Sequence, residues 1–159
     1  MTERVYIETT VVSYLTARPS RDLIIAAHQQ ITHEWWDTRR TNYELCVSEL
    51  VLDEAGAGDT QAAEERLLVL QPMLVVETTT DAFELAEELL RAGALPSKAA
   101  DDALHIAIAA TKAIPYLLTW NCRHLANATM RPVIEAVCIA KGLKAPIICT
   151  PEELMEVKP

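Results

Sequence analysis

The sequence predicts a three-layer α/β/α sandwich around a central, mainly parallel five-stranded sheet. Three observations carry that reading. Short apolar, β-rich runs recur five times along the chain, segments with helical spacing lie between them, and Ser, Gly or Pro residues punctuate the junctions. Strands that alternate with helices pair in parallel through right-handed crossovers, which puts helices on both faces of one sheet.

The first strand is the run Val5, Tyr6 and Ile7, which ends at Glu8 and Thr9. Helical segments follow. Asp22 to Arg40 places Leu23, Ala26, Ala27, Ile31 and Trp35 at spacings of three and four, one face of a long helix. Tyr43 to Val47 is the second strand, Ser48 caps the next helix, and Gly56 and Gly58 end it. A helix over Thr60 to Leu70 precedes Pro72 and a third strand at Met73 to Val76. Asp81 to Arg91 is helical with Gly93 as its stop, and Ser97 caps a strong helix reaching about Ala113. A fourth strand at Tyr116 to Thr119, a helix from Pro132 to Lys141 closed by Gly142, and a fifth strand at Ile147 to Cys149 complete the order.

A chain of 159 residues, half of them hydrophobic, is expected to form one domain over 1–159 with a real core. Cys46, Cys122, Cys138 and Cys149 show neither CxxC nor Cys/His spacing, so they read as apolar filler in a reduced compartment. Glu3, Arg4 and Glu8 interrupt the start of the chain, and His105 and Lys112 interrupt its most apolar stretch. The expectation is therefore a cytoplasmic protein with no membrane contact.

The charge of -9, from 23 acidic against 14 basic residues, gives no general attraction to a polyanion. A bound divalent cation would reverse the sign locally. Basic residues also cluster at Arg18/Arg21, Arg39/Arg40 and Arg123/His124.

Ligand sites in open α/β sheets lie beyond the carboxyl ends of the strands. Four places qualify: Glu8 where strand one ends, Glu54 in the helix after strand two, the Asp101/Asp102 pair in the helix before strand four, and Asn121 just past strand four. Folding brings these acids toward one end of the sheet, where like charges raise one another's pKa unless a cation sits among them. Oxygen donors without Cys or His suit Mg²⁺ or Mn²⁺, and such ions promote phosphodiester hydrolysis with a metal-activated water.

The segments VYIETT, CVSELVLDEAGAG, AADDALHIAIAA and LLTWNCRHLAN occur in an order and spacing that resemble PIN domains, most of all the bacterial VapC-type toxins. The resemblance spans nearly the whole chain. It implies a Mg²⁺- or Mn²⁺-dependent endoribonuclease acting on RNA, usually a homodimer, whose partner is often a small antitoxin protein encoded beside it. Glu8 falls where the family has its first catalytic Asp, and Glu54 and Asp102 match further acids, so these three form the implied metal shell. Asn121 falls where many members have a fourth Asp, and Thr9 and Thr119 match flanking hydroxyl positions. Asp101 is the acid to test if Asp102 proves dispensable.

Two departures stand out. Glu8 carries one more methylene than Asp, a shift of ~1.5 Å, and misplacement by about 1 Å can cost around 10²-fold in rate. Asn121 replaces a charge with a neutral amide. Both motivate a rival reading in which a degenerate PIN domain binds RNA or protein without cutting it. A receiver-type signalling domain is a weaker rival, because its acidic pair would follow strand one rather than sit past mid-chain.

Simpler roles compete residue by residue. Asp101 and Asp102 oppose a helix macrodipole, Glu49 and Asp53 suit an exposed acidic face, and Glu8 is able to pair with an arginine such as Arg123. His105 lies on the same helical side as Asp102 and reads as a packed histidine. Trp35, Trp36 and Trp120 read as core or interface residues.

Overall fold

The computed structural model describes residues 2–157. Five parallel strands, β1 (Arg4–Ile7), β2 (Glu44–Ser48), β3 (Leu74–Val76), β4 (Tyr116–Leu118) and β5 (Ile147–Cys149), form one sheet in the order β3-β2-β1-β4-β5. The helices are α1 (Thr9–Thr16), α2 (Leu23–Arg39), α3 (Glu49–Ala55), α4 (Thr60–Leu70), α5 (Thr80–Arg91), α6 (Ala100–Thr111) and α7 (Arg131–Ala140), with a 3₁₀ turn at Arg40–Asn42. They cover both faces, which makes the three-layer α/β/α sandwich that the alternating pattern predicts.

The strand order explains where a site forms. From β1 the chain winds outward to β2 and β3, then crosses back to lay β4 on the other side of β1 and continues to β5. The direction of winding reverses between β1 and β4. At that switch the loops leaving two adjacent strands diverge, and a crevice opens beyond their carboxyl ends.

Burial follows the apolar runs. Val5, Tyr6 and Ile7 of β1 are fully buried, as are Leu117 and Leu118 of β4 and Cys46 and Val47 of β2. Ile106 to Ala109 of α6 lie in the same core. Cys46, Cys138 and Cys149 are buried, and burial pushes their thiols up, Cys46 and Cys149 to about 12, so they are held as inert apolar groups. Among the described residues no helix is long and apolar enough to cross a membrane.

Helix boundaries match their local chemistry with one correction. Asp22 accepts from the amides of Ile24 and Ile25, and Asp59 and Thr79 cap α4 and α5 in the same way. Ser48 accepts from the Val51 amide at 3.4 Å. Ser97, expected as the cap of α6, is not: the helix begins at Ala100 after an uncapped Ala99. A turn intervenes, closed by the Ala99 amide donating to the Pro96 carbonyl at 2.9 Å. Asp101 and Asp102 stand in the uncapped first turn, where negative charge opposes the helix dipole.

The far end of α6 gives a stability test. Ala113 is exposed and has a left-handed backbone, φ 54°. A Cβ costs roughly 1–2 kcal/mol in that region, and glycine's extra chain entropy offsets part of the relief. Ala113→Gly is therefore expected to stabilise the protein by about 0.5–1 kcal/mol, read as a higher urea midpoint at unchanged slope.

Candidate functional site

Glu8 follows β1 immediately, so the pleat that buries Tyr6 and Ile7 delivers its side chain to the β1–β4 switch. The Glu8 amide continues the sheet by donating to the Leu118 carbonyl at 3.0 Å. Its side chain is only 4% exposed. Thr10 and Thr119 both donate to its Oε1, the latter at 2.6 Å. Among the described residues it makes no ion pair, so the expected alternative of an arginine partner is not what the structure shows. Burial raises its pKa, opposed by the His105 charge and the two threonine hydroxyls.

Glu54 comes from α3, which Ser48 starts at the end of β2. Its Oε1 accepts from the Thr9 hydroxyl at 2.6 Å and lies 2.8 Å from His105 Nε2. Burial acts to raise the Glu54 pKa, but the His105 hydrogen bond and charge, with Thr9, outweigh it, and the net shift is downward. The two carboxylates therefore shift in opposite directions, Glu8 toward the neutral acid and Glu54 toward the anion.

Glu8, Glu54 and His105 each offer a donor atom within 4.8 Å of the others. His105 is fully buried, as its packed reading expects, but it is also the residue that bonds Glu54. Behind it, Tyr6 Oη lies 2.7 Å from His105 Nδ1 and 2.7 Å from Ser48 Oγ. This buried series, Ser48, Tyr6, His105 and Glu54, fixes the imidazole on one nitrogen and presents the other to the pocket. The sequence signal for it was indirect. Tyr6 is the one polar-tipped residue in the buried run Val5 to Ile7, and His105 interrupts a buried helix.

Asp102 sits one turn before His105 on α6 and belongs to an adjoining set. Asn121 Nδ2 donates to Asp102 Oδ1 at 3.3 Å, and His124 Nδ1 lies 3.1 Å from Oδ2. Asn121 Oδ1 in turn accepts from the His124 amide at 3.0 Å. The two sets meet at Thr119, whose Oγ1 accepts from the Asn121 amide at 2.9 Å and donates to Glu8. Asp101, Glu49 and Asp53 are exposed. Thr10 and His124 complete the network without having been singled out as site residues. Thr10 repeats Thr9 in sequence, and His124 showed only as half of a basic pair.

The donor set fits a divalent cation. A carboxylate buried as Glu8 is, bonded only by hydroxyls and facing a second carboxylate, carries a desolvation cost that a cation relieves. Two carboxylates stand within reach of one ion, with the His105 imidazole beside them and bonded to Glu54.

His105→Ala is expected to destabilise the protein by about 2–4 kcal/mol. It opens a cavity beside Tyr6 and removes a hydrogen-bond partner from both Tyr6 and Glu54. Urea unfolding of the metal-free protein measures the effect.

The chain belongs to the PIN domain family, whose model matches residues 5–126. Among solved structures it is similar to the VapC20 toxin of Mycobacterium tuberculosis, described as cleaving the sarcin-ricin loop. That likeness has 17% identity and a TM-score of 0.58, and covers 75% of this chain and 91% of the other. It is also similar to VapBC2 of Rickettsia felis, determined bound to a DNA fragment from their promoter. Here the identity is 14% and the TM-score 0.57, with 92% and 98% covered. At these identities the likeness establishes the fold. No curated protein matches the chain.

Proposed function

We propose that this PIN domain is a divalent-metal-dependent endoribonuclease that hydrolyses RNA phosphodiesters, with Mn²⁺ or Mg²⁺ as its cofactor. The observation that carries the reading is the meeting of Glu8 and Glu54, residues 46 positions apart in sequence, with donor atoms within 4.8 Å at the β1–β4 switch. Glu8 and Glu54 would hold the ion, and Asp102, in the adjoining set with Asn121 and His124, would add negative charge beside it.

When bound, the ion supplies Lewis-acid charge to the phosphoryl group and lowers the pKa of water. The chain's own groups do the rest. Thr9, Thr10 and Thr119 orient the carboxylate oxygens by donating to them. His105, braced by Tyr6, holds Glu54 in its ionised form. Burial around Glu8 lowers the local dielectric, which strengthens every charge interaction in the pocket.

The resemblance to VapC toxins supports a toxin role with an antitoxin partner and a homodimeric assembly in the cytoplasm. A second reading, a degenerate PIN domain that binds without cutting, has one observation in its favour. Both polar ends of the Asn121 amide are engaged, by Asp102 and by the His124 amide, so Asn121 acts as a brace where many relatives have a charged acid.

An RNA cleavage assay with Mg²⁺ and with Mn²⁺ separates the two. The native chain is expected to cut, and Asp102→Asn to cut slower by about 10²-fold. Metal binding by the native chain with no turnover of single-stranded or structured RNA would establish the second reading instead.

A further inference from the structure

Outside the carboxylate pocket, the most organised side-chain group is aromatic and stands against it. His28 of α2 lies flat on Trp120, with ring centroids 4.0 Å apart and planes 12° from parallel. Tyr14 of α1 is 6.2 Å from Trp120 and 6.3 Å from His28, at 29° and 25°. The near-equal distances place Tyr14 beside the stacked pair and not on top of it, so it does not cover the outer face of His28.

The group is tied to the pocket at two points. The Trp120 amide donates to Thr10 Oγ1 at 2.8 Å, and Thr10 donates to Glu8. Tyr14 is one turn along α1 from Thr10, about 6 Å on helix geometry. Trp120 Nε1 donates to Thr32 Oγ1 at 2.7 Å, which satisfies the indole edge and fixes its plane. Trp120 is only 7% exposed, so solvent meets the group through half-buried Tyr14 and His28.

Positive charge is held beside it. Arg18 and Arg21 are exposed on the α1–α2 loop and form no ion pair among the described residues. Gln29, the neighbour of His28, staples that loop by donating to the Arg18 carbonyl at 3.0 Å and accepting from the Ser20 amide at 2.9 Å. Parallel aromatic faces with arginines alongside are what a nucleobase and its phosphates need. Bases held within a duplex cannot reach such faces, whereas bases in loops and single strands can.

We propose that His28 and Tyr14, backed by Trp120, form a stacking platform for an unpaired RNA base next to the scissile phosphate, with Arg18 and Arg21 on the flanking backbone. This rests on the ribonuclease reading, and its test is arranged to fail separately. A short single-stranded RNA and the same strand carrying abasic residues are titrated into the protein in EDTA, with Trp fluorescence as the readout. The result is a ratio of affinities, so repulsion from the bare carboxylates cancels.

The native chain is expected to prefer the intact strand by roughly ten-fold. His28→Ala should remove most of that preference, His28→Phe should restore it, and Tyr14→Ala should reduce it independently. Mn²⁺-dependent cleavage is measured in parallel. Native cleavage with an affinity ratio unchanged in both His28→Ala and Tyr14→Ala overturns the platform and leaves the nuclease standing. The expected ratios without cleavage keep the platform and overturn the nuclease. Failure of the native chain to bind either strand overturns the platform, and whether it cleaves with Mn²⁺ decides the nuclease separately.

Discussion

Glu8→Gln is expected to make the metal-free protein more stable at neutral pH and to abolish its stabilisation by Mn²⁺. The buried Glu8 carboxyl has a raised pKa. An acid whose pKa is raised on folding contributes stability that is full below its unfolded value, near 4.3, and is lost as pH rises through the folded value. At pH 7 the ionised group is therefore a cost, and the neutral amide removes it. The replacement fits the site, since the amide oxygen accepts from Thr10 and Thr119 as Oε1 does now. The same amide turns its NH₂ toward Glu54 and the cation site. Mn²⁺ at 100 times its Kd stabilises a single-site protein by about 2.7 kcal/mol, a rise of roughly 5–10 °C in Tm for a chain of this length. Thermal melts of both proteins with and without Mn²⁺ check this, and an equal Mn²⁺ shift in the variant removes Glu8 from the metal shell.

Glu54→Gln is expected to lower metal-dependent RNA cleavage by at least ~10²-fold, with the opposite signature in stability. Glu54 has a lowered pKa, owed to His105 and Thr9. Its ionised form contributes stability that is present above the ordinary glutamate value and is lost as pH falls through the folded value. The variant should thus be less stable than the native protein at pH 7, and the two should converge in acid. Thr9 and His105 both bond Oε1, so the glutamine oxygen occupies that position and its NH₂ faces the cation, replacing a ligand by a donor. Melts from pH ~4 to neutrality place the two variants on opposite sides of the native curve. Parallel curves would show that the paired pKa shifts do not govern the pocket.

The fold was legible because its strands and helices are locally consistent. Buried β-branched and aromatic runs such as Val5 to Ile7 report sheet without knowledge of neighbours; spacing likewise reports α2 as a helix, but the face it buries is Gln29, Thr32 and Trp35, while Leu23 at the head of the expected apolar face is exposed. Ser97 shows the limit, since a turn closed by Pro96 and Ala99 moved the N-cap of α6 two residues along, from Ser97 to Ala99. The positions of Glu8 and Glu54 at strand-end and post-strand sites were equally readable, because the carboxyl end of a parallel strand is where polar residues must begin.

The partners of those acids were not readable. His105 looks like a core histidine along α6, and only the approach of β1 and α3 sets Tyr6 on one nitrogen and Glu54 on the other. The same crossing places Asp102 with Asn121 and His124, joined to Glu8 through Thr119. By itself the sequence determined the alternating layers, the order of the elements and the presence of acids at strand ends. Tertiary structure decided which acids share a pocket and which way each titrates. Those properties depend on distances of a few ångströms between residues far apart in the chain, and on how completely water is excluded between them.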